Sequence, residues 1–462
     1  MQLIEISLVT GLIVSALALG GKEPISFSGV QILFLATAVL LSVAYARGSF
    51  GRHKLPFFVP VLLVAWVVLQ IIPLPAAFLE LLHSDSGQPS YVSHSTITVA
   101  PYETVSDLLA LLTYVSAFYF TVIVCQRRQG MQRIVIALIA LGTFEAFHGF
   151  IQYLTDWRQI PSYVKTYKIY YPEDVAGTYI NRNHFAALLE MILPFGVALG
   201  FYTFGQLRKF WLGASARIRD LFTHVEFQKL ILWIFLAAFL FAALVFSRSR
   251  MGIISAVASN LVLITLVATS GRQRRIMLVP AFLFLLGATS IVVWIGVDPV
   301  MSRFERLPQE YQDYEGGRLG IWGDTLELIR RHPWVGTGLG TFPQAYQAIQ
   351  TTHLHAGTLV NHAHNDYLEI LADLGVPAAL LFFGAILSMC WKGMRFFHAG
   401  ANSFGRSIAL GCVGSIVALL LHSLADFNLY VPANALVFAV VLGLTYSTCE
   451  LAHIRHRQSE RL

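Results

Sequence analysis

The stretch "KLILWIFLAAFLFAALVFSRSRMGIISAVASNLVLITLVATSGRQRR" (229–275) holds two apolar runs, 229–247 and 251–270, joined by a few residues that carry Arg248 and Arg250. Crossing roughly 30 Å of hydrocarbon takes about 20 apolar residues in a helix, which satisfies its own backbone hydrogen bonds. Each run therefore reads as a membrane span, and the pair as a helical hairpin with two guanidiniums pinned at the membrane surface. Carried outward, the same reading finds further spans at 3–20, 28–46, 56–73, 105–125, 134–153, 184–204, 276–296, 367–390, 407–426 and 432–449. Composition agrees, with 56% of 462 residues hydrophobic, 13% charged and a mean hydropathy of +0.63. A soluble domain carries roughly 25% charged residues. A soluble enzyme is excluded, and the sequence predicts an all-α polytopic membrane protein with about 12 transmembrane helices and both termini on one side.

The loops between spans alternate in charge. Arg47, Arg52 and Lys54 follow the second span, Arg127, Arg128 and Arg133 the fourth, and Arg208, Lys209, Arg217, Arg219 and Lys229 the sixth. With Arg272, Arg274, Arg275, Lys392, Arg395, Arg406 and the tail residues Arg455, Arg457 and Arg461, 20 of the 32 Lys and Arg lie on one side. By the positive-inside rule that side is cytoplasmic. The net charge of +6 is thus mainly an orientation signal and not a nucleic-acid footprint. Cys125, Cys390, Cys412 and Cys449 form neither a disulfide framework nor a CxxC metal site. The first span ends in "SALALGGK", which resembles a cleavage site, but its leader has no Lys or Arg and contains Glu5. It reads as a retained helix.

The long polar stretches are outside loops at 74–104, 154–183 and 297–366, the last expected to fold on its own and carry function. Outside loops hold few charges unless these are used. Arg248 and Arg250 therefore read as a pyrophosphate clamp, because guanidinium is planar, always charged and bidentate toward phosphate. The competing reading is a pair of interfacial anchors to lipid phosphates. In the large loop, Leu319, Trp322, Leu326 and Ile329 recur at helical spacing. They predict an amphipathic helix lying on the membrane, with Arg318 at its start. "HPWVGTGLGTF" (332–342) reads either as a glycine-rich turn approached by a ligand or as a flexible connection.

Four of the fifteen histidines, His353, His355, His362 and His364, form two H-x-H pairs before span ten. Imidazole is the side chain suited to take a proton from a hydroxyl at neutral pH; metal binding is the rival. Asp366, Glu369 and Asp373 share a helical face at the mouth of span ten, either capping it or facing a polar cavity. Asp426 sits at the outer end of span eleven. Glu190, inside span six, reads as Asp426 does, either capping or facing a polar cavity, while His422, Glu145 and His148, inside spans, read as helix-to-helix partners. Asn181, Arg182, Asn183 and His184 either touch substrate or cap span six.

Taken together, "GTYINRNHFAALLEM" (177–191), "SRSRMG" (247–252), "GGRLGIWGDTLELIRRHPWVGTGLGTF" (316–342), "NHAHNDYLEILADLGVPA" (361–378) and "HSLADFNLYVPANA" (422–435) resemble the O-antigen ligase and O-antigen polymerase superfamily of bacterial inner-membrane glycosyltransferases. The resemblance implies a GT-C-like fold with a large, partly helical periplasmic loop. It divides the chain into N-terminal spans at 1–176, a ligase-like membrane domain at 177–450 and a cytoplasmic tail at 451–462. It implies transfer of a glycan from undecaprenyl diphosphate to an acceptor hydroxyl in the periplasm, inverting, without cofactor, metal or nucleotide sugar. The acceptor is lipid A-core or a second lipid-linked glycan, and surrounding membrane lipids complete the partners. By position the general base is His364, and the donor diphosphate falls to Arg250 and Arg318. Arg248, Asn181, Asn183, His184, Trp322, His362, Asn365, Asp366 and Asp426 are the candidates for substrate contact. His364, Asn365 and Gly375 fit the ligase pattern H-[NSQ]-x9-G-x-x-[GTY], but its last position is Ala378, which leaves ligase and polymerase both open. The rival from another class is a secondary transporter or flippase of a lipid-linked glycan; a non-catalytic assembly partner is a third.

Overall fold

In the computed structural model, residues 2–47, 56, 58–75, 77, 95–155, 174–213, 222–270, 279, 282, 283, 286, 287, 290, 317–351, 359–399 and 403–459 are described. Thirteen α-helices run in order: α1 Gln2–Leu17, α2 Pro24–Ala46, α3 Phe58–Ile71, α4 Pro101–Val124, α5 Arg128–Thr155, α6 Arg182–Gly213, α7 Val225–Phe246, α8 Arg250–Thr269, α9 Arg318–Arg331, α10 Phe342–Gln347, α11 Asp366–Ala399, α12 Ser403–His422 and α13 Pro432–Ser459. No strand occurs among the described residues. Nine of these helices are long and apolar enough to cross a membrane, and α1 and α3 are shorter apolar helices, so eleven of the twelve predicted spans are helical. The remaining one, 276–296, lies outside the described residues except at isolated positions, as do His353 and His355.

Helix starts follow local chemistry. Pro101 and Pro432 open α4 and α13, where a missing N–H is harmless and the fixed φ suits the helix. Glu23 caps α2 by accepting from Ser26 N at 2.6 Å, and Ser249 caps α8 by accepting from Gly252 N at 3.3 Å. The core is built around α6, whose apolar window is 94% buried and which packs against α7, α8, α12 and α13. Small residues let the backbones close: a Cβ on Gly411 would lie 2.6 Å from the Phe195 ring, and one on Gly443 would lie 2.8 Å from Phe118 O. Around this centre α1, α2, α4 and α5 complete one large apolar core.

Two elements differ from the sequence reading. α12 ends at His422, not at 426; residues 423–431 form a turn with a short 3-10 segment at Asn428–Tyr430. The turn is fixed because Asp366 N donates to both Ser423 O and Asp426 O, carbonyls that a continuing helix would have used itself. The amphipathic helix forms as α9, beginning at Arg318, but it buries Ile321, Asp324, Thr325 and Leu328. Leu319 and Leu326 are exposed, so two of the four apolar positions point away from the protein.

Candidate active site

Helix α11 is broken at Gly375 (φ 75°, ψ 166°), two residues before Pro377. A helix broken in an apolar body strands carbonyls that need donors. Here Thr337 N donates to Ala372 O at 2.9 Å and Gly338 N to Asp373 O at 3.0 Å. Gln70 Nε2 also reaches Asp373 O, and Trp66 Nε1 reaches Leu374 O, both at 3.0 Å. In return Val376 N donates to Pro333 O at 2.8 Å. The glycines of "HPWVGTGLGTF" permit this approach: Gly336 has φ 69°, and a Cβ on it would lie 2.6 Å from Gly375 N. The run is therefore neither a ligand-approached turn nor a flexible connection. It caps the broken helix.

The first half of α11, 366–374, carries the acidic stripe; all three carboxylates are buried and hold the surrounding turns, with Asp373 Oδ1 left without a hydrogen-bond partner among the described residues. Asp366 accepts from Ser423 Oγ at 2.6 Å and Leu429 N at 3.1 Å. Glu369 accepts from His362 Nδ1 at 2.7 Å and Ala363 N at 2.8 Å. Asp373 accepts from Gly340 N and Tyr430 OH, each at 2.8 Å. Asn365 caps the half-helix by accepting from Tyr367 N and Leu368 N. Trp322 of α9 ties the loop to the cap through its indole N–H, which donates to Ala363 O at 2.9 Å.

These bonds gather a cluster around the buried ring of Phe427. His362 stacks on it at 3.8 Å between centroids, while His184 and His364 meet it edgewise at 4.8 and 5.0 Å. Beside the ring, Asp426 Oδ1 lies 3.6 Å from His364 Nδ1 and 3.8 Å from His184 Nε2. Asp426 Oδ2 and both of these nitrogens are buried without a hydrogen-bond partner among the described residues. His364 holds φ 52°, an uncommon conformation for a non-glycine residue and of the kind that clusters at functional sites. Its Nδ1 is buried toward Asp426 while 35% of the side chain is exposed, so the ring turns its Nε2 edge outward. Burial works to raise the Asp426 carboxyl, but His184 and His364 outweigh it and hold the group well below the usual carboxylate range. Burial, then the Lys22 ammonium, push His362 below its ordinary range against the pull of Asp426. Arg318 Nη1 donates to Ala425 O at 2.5 Å, which places an exposed guanidinium on the residue before Asp426.

The other arginines sit close by. Arg248, at φ 54°, has Nε 3.5 Å from Asp174 Oδ1, and Arg182 pairs with Asp174 Oδ2. Arg250 begins α8 behind the Ser249 cap. This turn presses on α6, since a Cβ on Gly252 would lie 2.6 Å from Ala186 Cβ. Ala186 is two residues from His184, about 3 Å along the helix. The start of α6 thus touches the arginine turn and the histidine cluster together. Asn181 accepts from Asn183 N at 2.8 Å and caps locally, whereas His184 joins the cluster. Glu190 and His422 pair at 3.1 Å between α6 and α12, the helix-to-helix role read for His422, whereas Glu145 accepts from Thr178 N at 2.8 Å, in the turn before α6. Lys22, Phe427 and Asp174 had not been singled out.

Beside Tyr430 an apolar cavity of about 650 Å³ lies between α2, α3, α4, α11 and α13, its lining including Ile370, Phe382 and Lys392.

Residues 235–383 match the family model described as O-Antigen ligase. The matched segment contains Arg248, Arg250, Arg318, Trp322, His362, His364, Asn365 and Asp366; His184 and Asp426 lie outside it. No curated protein matches the chain.

Proposed function

We propose that this chain, of which residues 235–383 match the O-Antigen ligase family model, is an O-antigen ligase- or polymerase-like membrane glycosyltransferase that transfers a glycan from undecaprenyl diphosphate to an acceptor hydroxyl on the periplasmic side of the bacterial inner membrane, with both termini cytoplasmic. The observation that carries this reading is the pairing of His364 with Asp426 at 3.6 Å, beside an Arg318 docked on Ala425 O. Asp426 orients the imidazole and compensates the positive charge it gains, the logic of a base held by a third group. His364 Nε2 takes the acceptor proton and the acceptor oxygen bonds to the anomeric carbon. The anomeric C–O bond breaks, and its electron pair passes to the terminal phosphate oxygen of the lipid diphosphate. Attack from the face opposite that oxygen inverts the centre. Arg318 and Arg250 stabilise the charge growing on the diphosphate, the contribution that dominates many such transfers. The apolar cavity beside Tyr430 supports the reading because a polyprenyl chain needs an apolar surface to lie against.

The test is purified protein with undecaprenyl-diphosphate-linked oligosaccharide, offered alone or with lipid A-core, and products sized. A ladder from donor alone establishes a polymerase, and one product requiring lipid A-core establishes a ligase. The buried Glu190–His422 pair favours the rival, transport. Donor movement across vesicles without any new glycosidic bond would establish that rival and overturn ours.

A further inference from the structure

Lys22 lies between α1 and α2, and its placement is built. Leu19, Gly20 and Gly21 have φ of 60°, 73° and 81°. A Cβ on Gly20 would lie 2.7 Å from the Tyr179 ring, and one on Gly21 would lie 2.7 Å from Pro432 Cβ. The turn is wedged between the residues that lead into α6 and open α13, and two glycines are what let it fit. Held this way, Lys22 Nζ stands 4.9 Å from the centroid of Phe427, the ring that His184, His362 and His364 surround.

Among the described residues the ammonium forms no ion pair and no hydrogen bond. Its neighbour Glu23 is engaged at Ser26 N. The two carboxylates that act on it from farther away, Asp426 and Glu369, are committed to His184 and His364 and to His362 and Ala363 N. A lysine whose backbone is set by a tight turn, with its exposed side chain unpaired beside an aromatic ring at the site, is open to an anion that the protein does not supply.

Resting on the glycosyl-transfer reading, we propose that Lys22 is a third cation for the donor diphosphate, set to meet the charge that appears as the bond breaks. The diphosphate joining sugar to lipid carries two negative charges. When the anomeric C–O bond breaks and its pair passes to the terminal phosphate oxygen, a third develops. Arg250 and Arg318 match the first two with forked, fixed donors. An ammonium on a flexible stem, with three rotatable donors, can follow the departing oxygen.

Purified full-length protein in detergent is titrated with inorganic pyrophosphate and assayed for transfer, as wild type, Lys22→Met, Lys22→Arg and Arg318→Ala. Lys22→Met should weaken pyrophosphate binding about tenfold or more, the scale of one charge-assisted hydrogen bond. It should also flatten the salt dependence and lower kcat, with the acceptor KM and Tm unchanged, and Lys22→Arg should recover most of the loss. Wild-type binding by Lys22→Met beside lost binding by Arg318→Ala overturns the role of Lys22 and leaves the transfer reading standing. A wild-type protein that neither binds pyrophosphate nor transfers glycan overturns the transfer reading itself. Should Lys22→Met fail to fold, Lys22→Gln replaces it, and unchanged binding by that variant overturns the proposal equally.

Discussion

Replacing Asp426 by Asn removes one charge and keeps the shape of the turn. Phe427 N donates to Asp426 Oδ1 at 3.0 Å, a bond the Asn carbonyl retains, and Asp366 N still finds the backbone carbonyl of residue 426. What is lost is the attraction between the carboxylate and an imidazolium forming at His364, 3.6 Å away. At an effective dielectric of about 20 that attraction is worth about 5 kcal/mol. The His364 side chain is 35% exposed, and solvent screening lowers the figure to about 2–3 kcal/mol, the range of hydrogen bonds to charged groups. At a tenfold rate change per 1.36 kcal/mol, kcat should fall about 30- to 150-fold. The stabilisation belongs to the protonated base and not to the bound substrates, so KM for donor and acceptor should hold. Single-turnover transfer at saturating donor measures the rate, and thermal unfolding confirms the fold. A kcat within about threefold of wild type, with Tm unchanged, would refute the assignment of Asp426 to His364, being far below the loss such a pair implies.

Three further outcomes are expected. Arg250→Lys keeps the charge and loses the bidentate fork, so transfer should drop more than about tenfold at equal protein level in the membrane; unchanged transfer would show that charge alone suffices there. Gly336→Ala forces a Cβ onto Asp373 O at φ 69° and should destabilise the purified protein by about 3 kcal/mol, summing overpacking and left-handed strain; an unchanged Tm would show that the turn does not grip α11. His362 has its pKa lowered in the folded protein, so between that value and the ordinary value near 6.5 the unfolded chain binds more protons. Its contribution to stability is therefore full above about pH 6.5 and declines as pH falls below it. Denaturation midpoints of wild type and His362→Gln should converge at acid pH, and parallel curves would rule His362 out as the source.

Apolar runs of bilayer length are legible one at a time, which is why eleven helices were found from composition alone and α9 began where Gly316 and Gly317 end. What one segment cannot display is which segment answers it. The acidic stripe of α11 reads equally as a helix cap or as the wall of a polar cavity because its partners, Ser423, Leu429 N, Ala363 N and Gly340 N, are distant in sequence or backbone groups with no side-chain signature. The glycine run hid its purpose for the same reason: its partners are the carbonyls freed at Gly375. His364, His184 and Asp426 were each candidates, but their convergence on Phe427 follows from a turn that residues 423–426 could equally have continued as helix. Lys22 carries the same signal as Arg248 and Arg250, a basic residue in a short connection on the sparsely charged side.

The break in α11 has a mechanical consequence. Residues 366–374 form a strut about 13 Å long at 1.5 Å per residue, bolted at its lower end to the 333–340 turn and at its upper end to the 423–429 turn. His364 stands on top of it. The proposed base is thereby kept at a set height above the break, and the strut cannot shorten or tilt without releasing bonds at both ends. A lipid-linked sugar whose leaving oxygen rides higher or lower on its tail has to meet a post that does not move. On the proposed reading, the site would gauge its substrates by length as well as by shape.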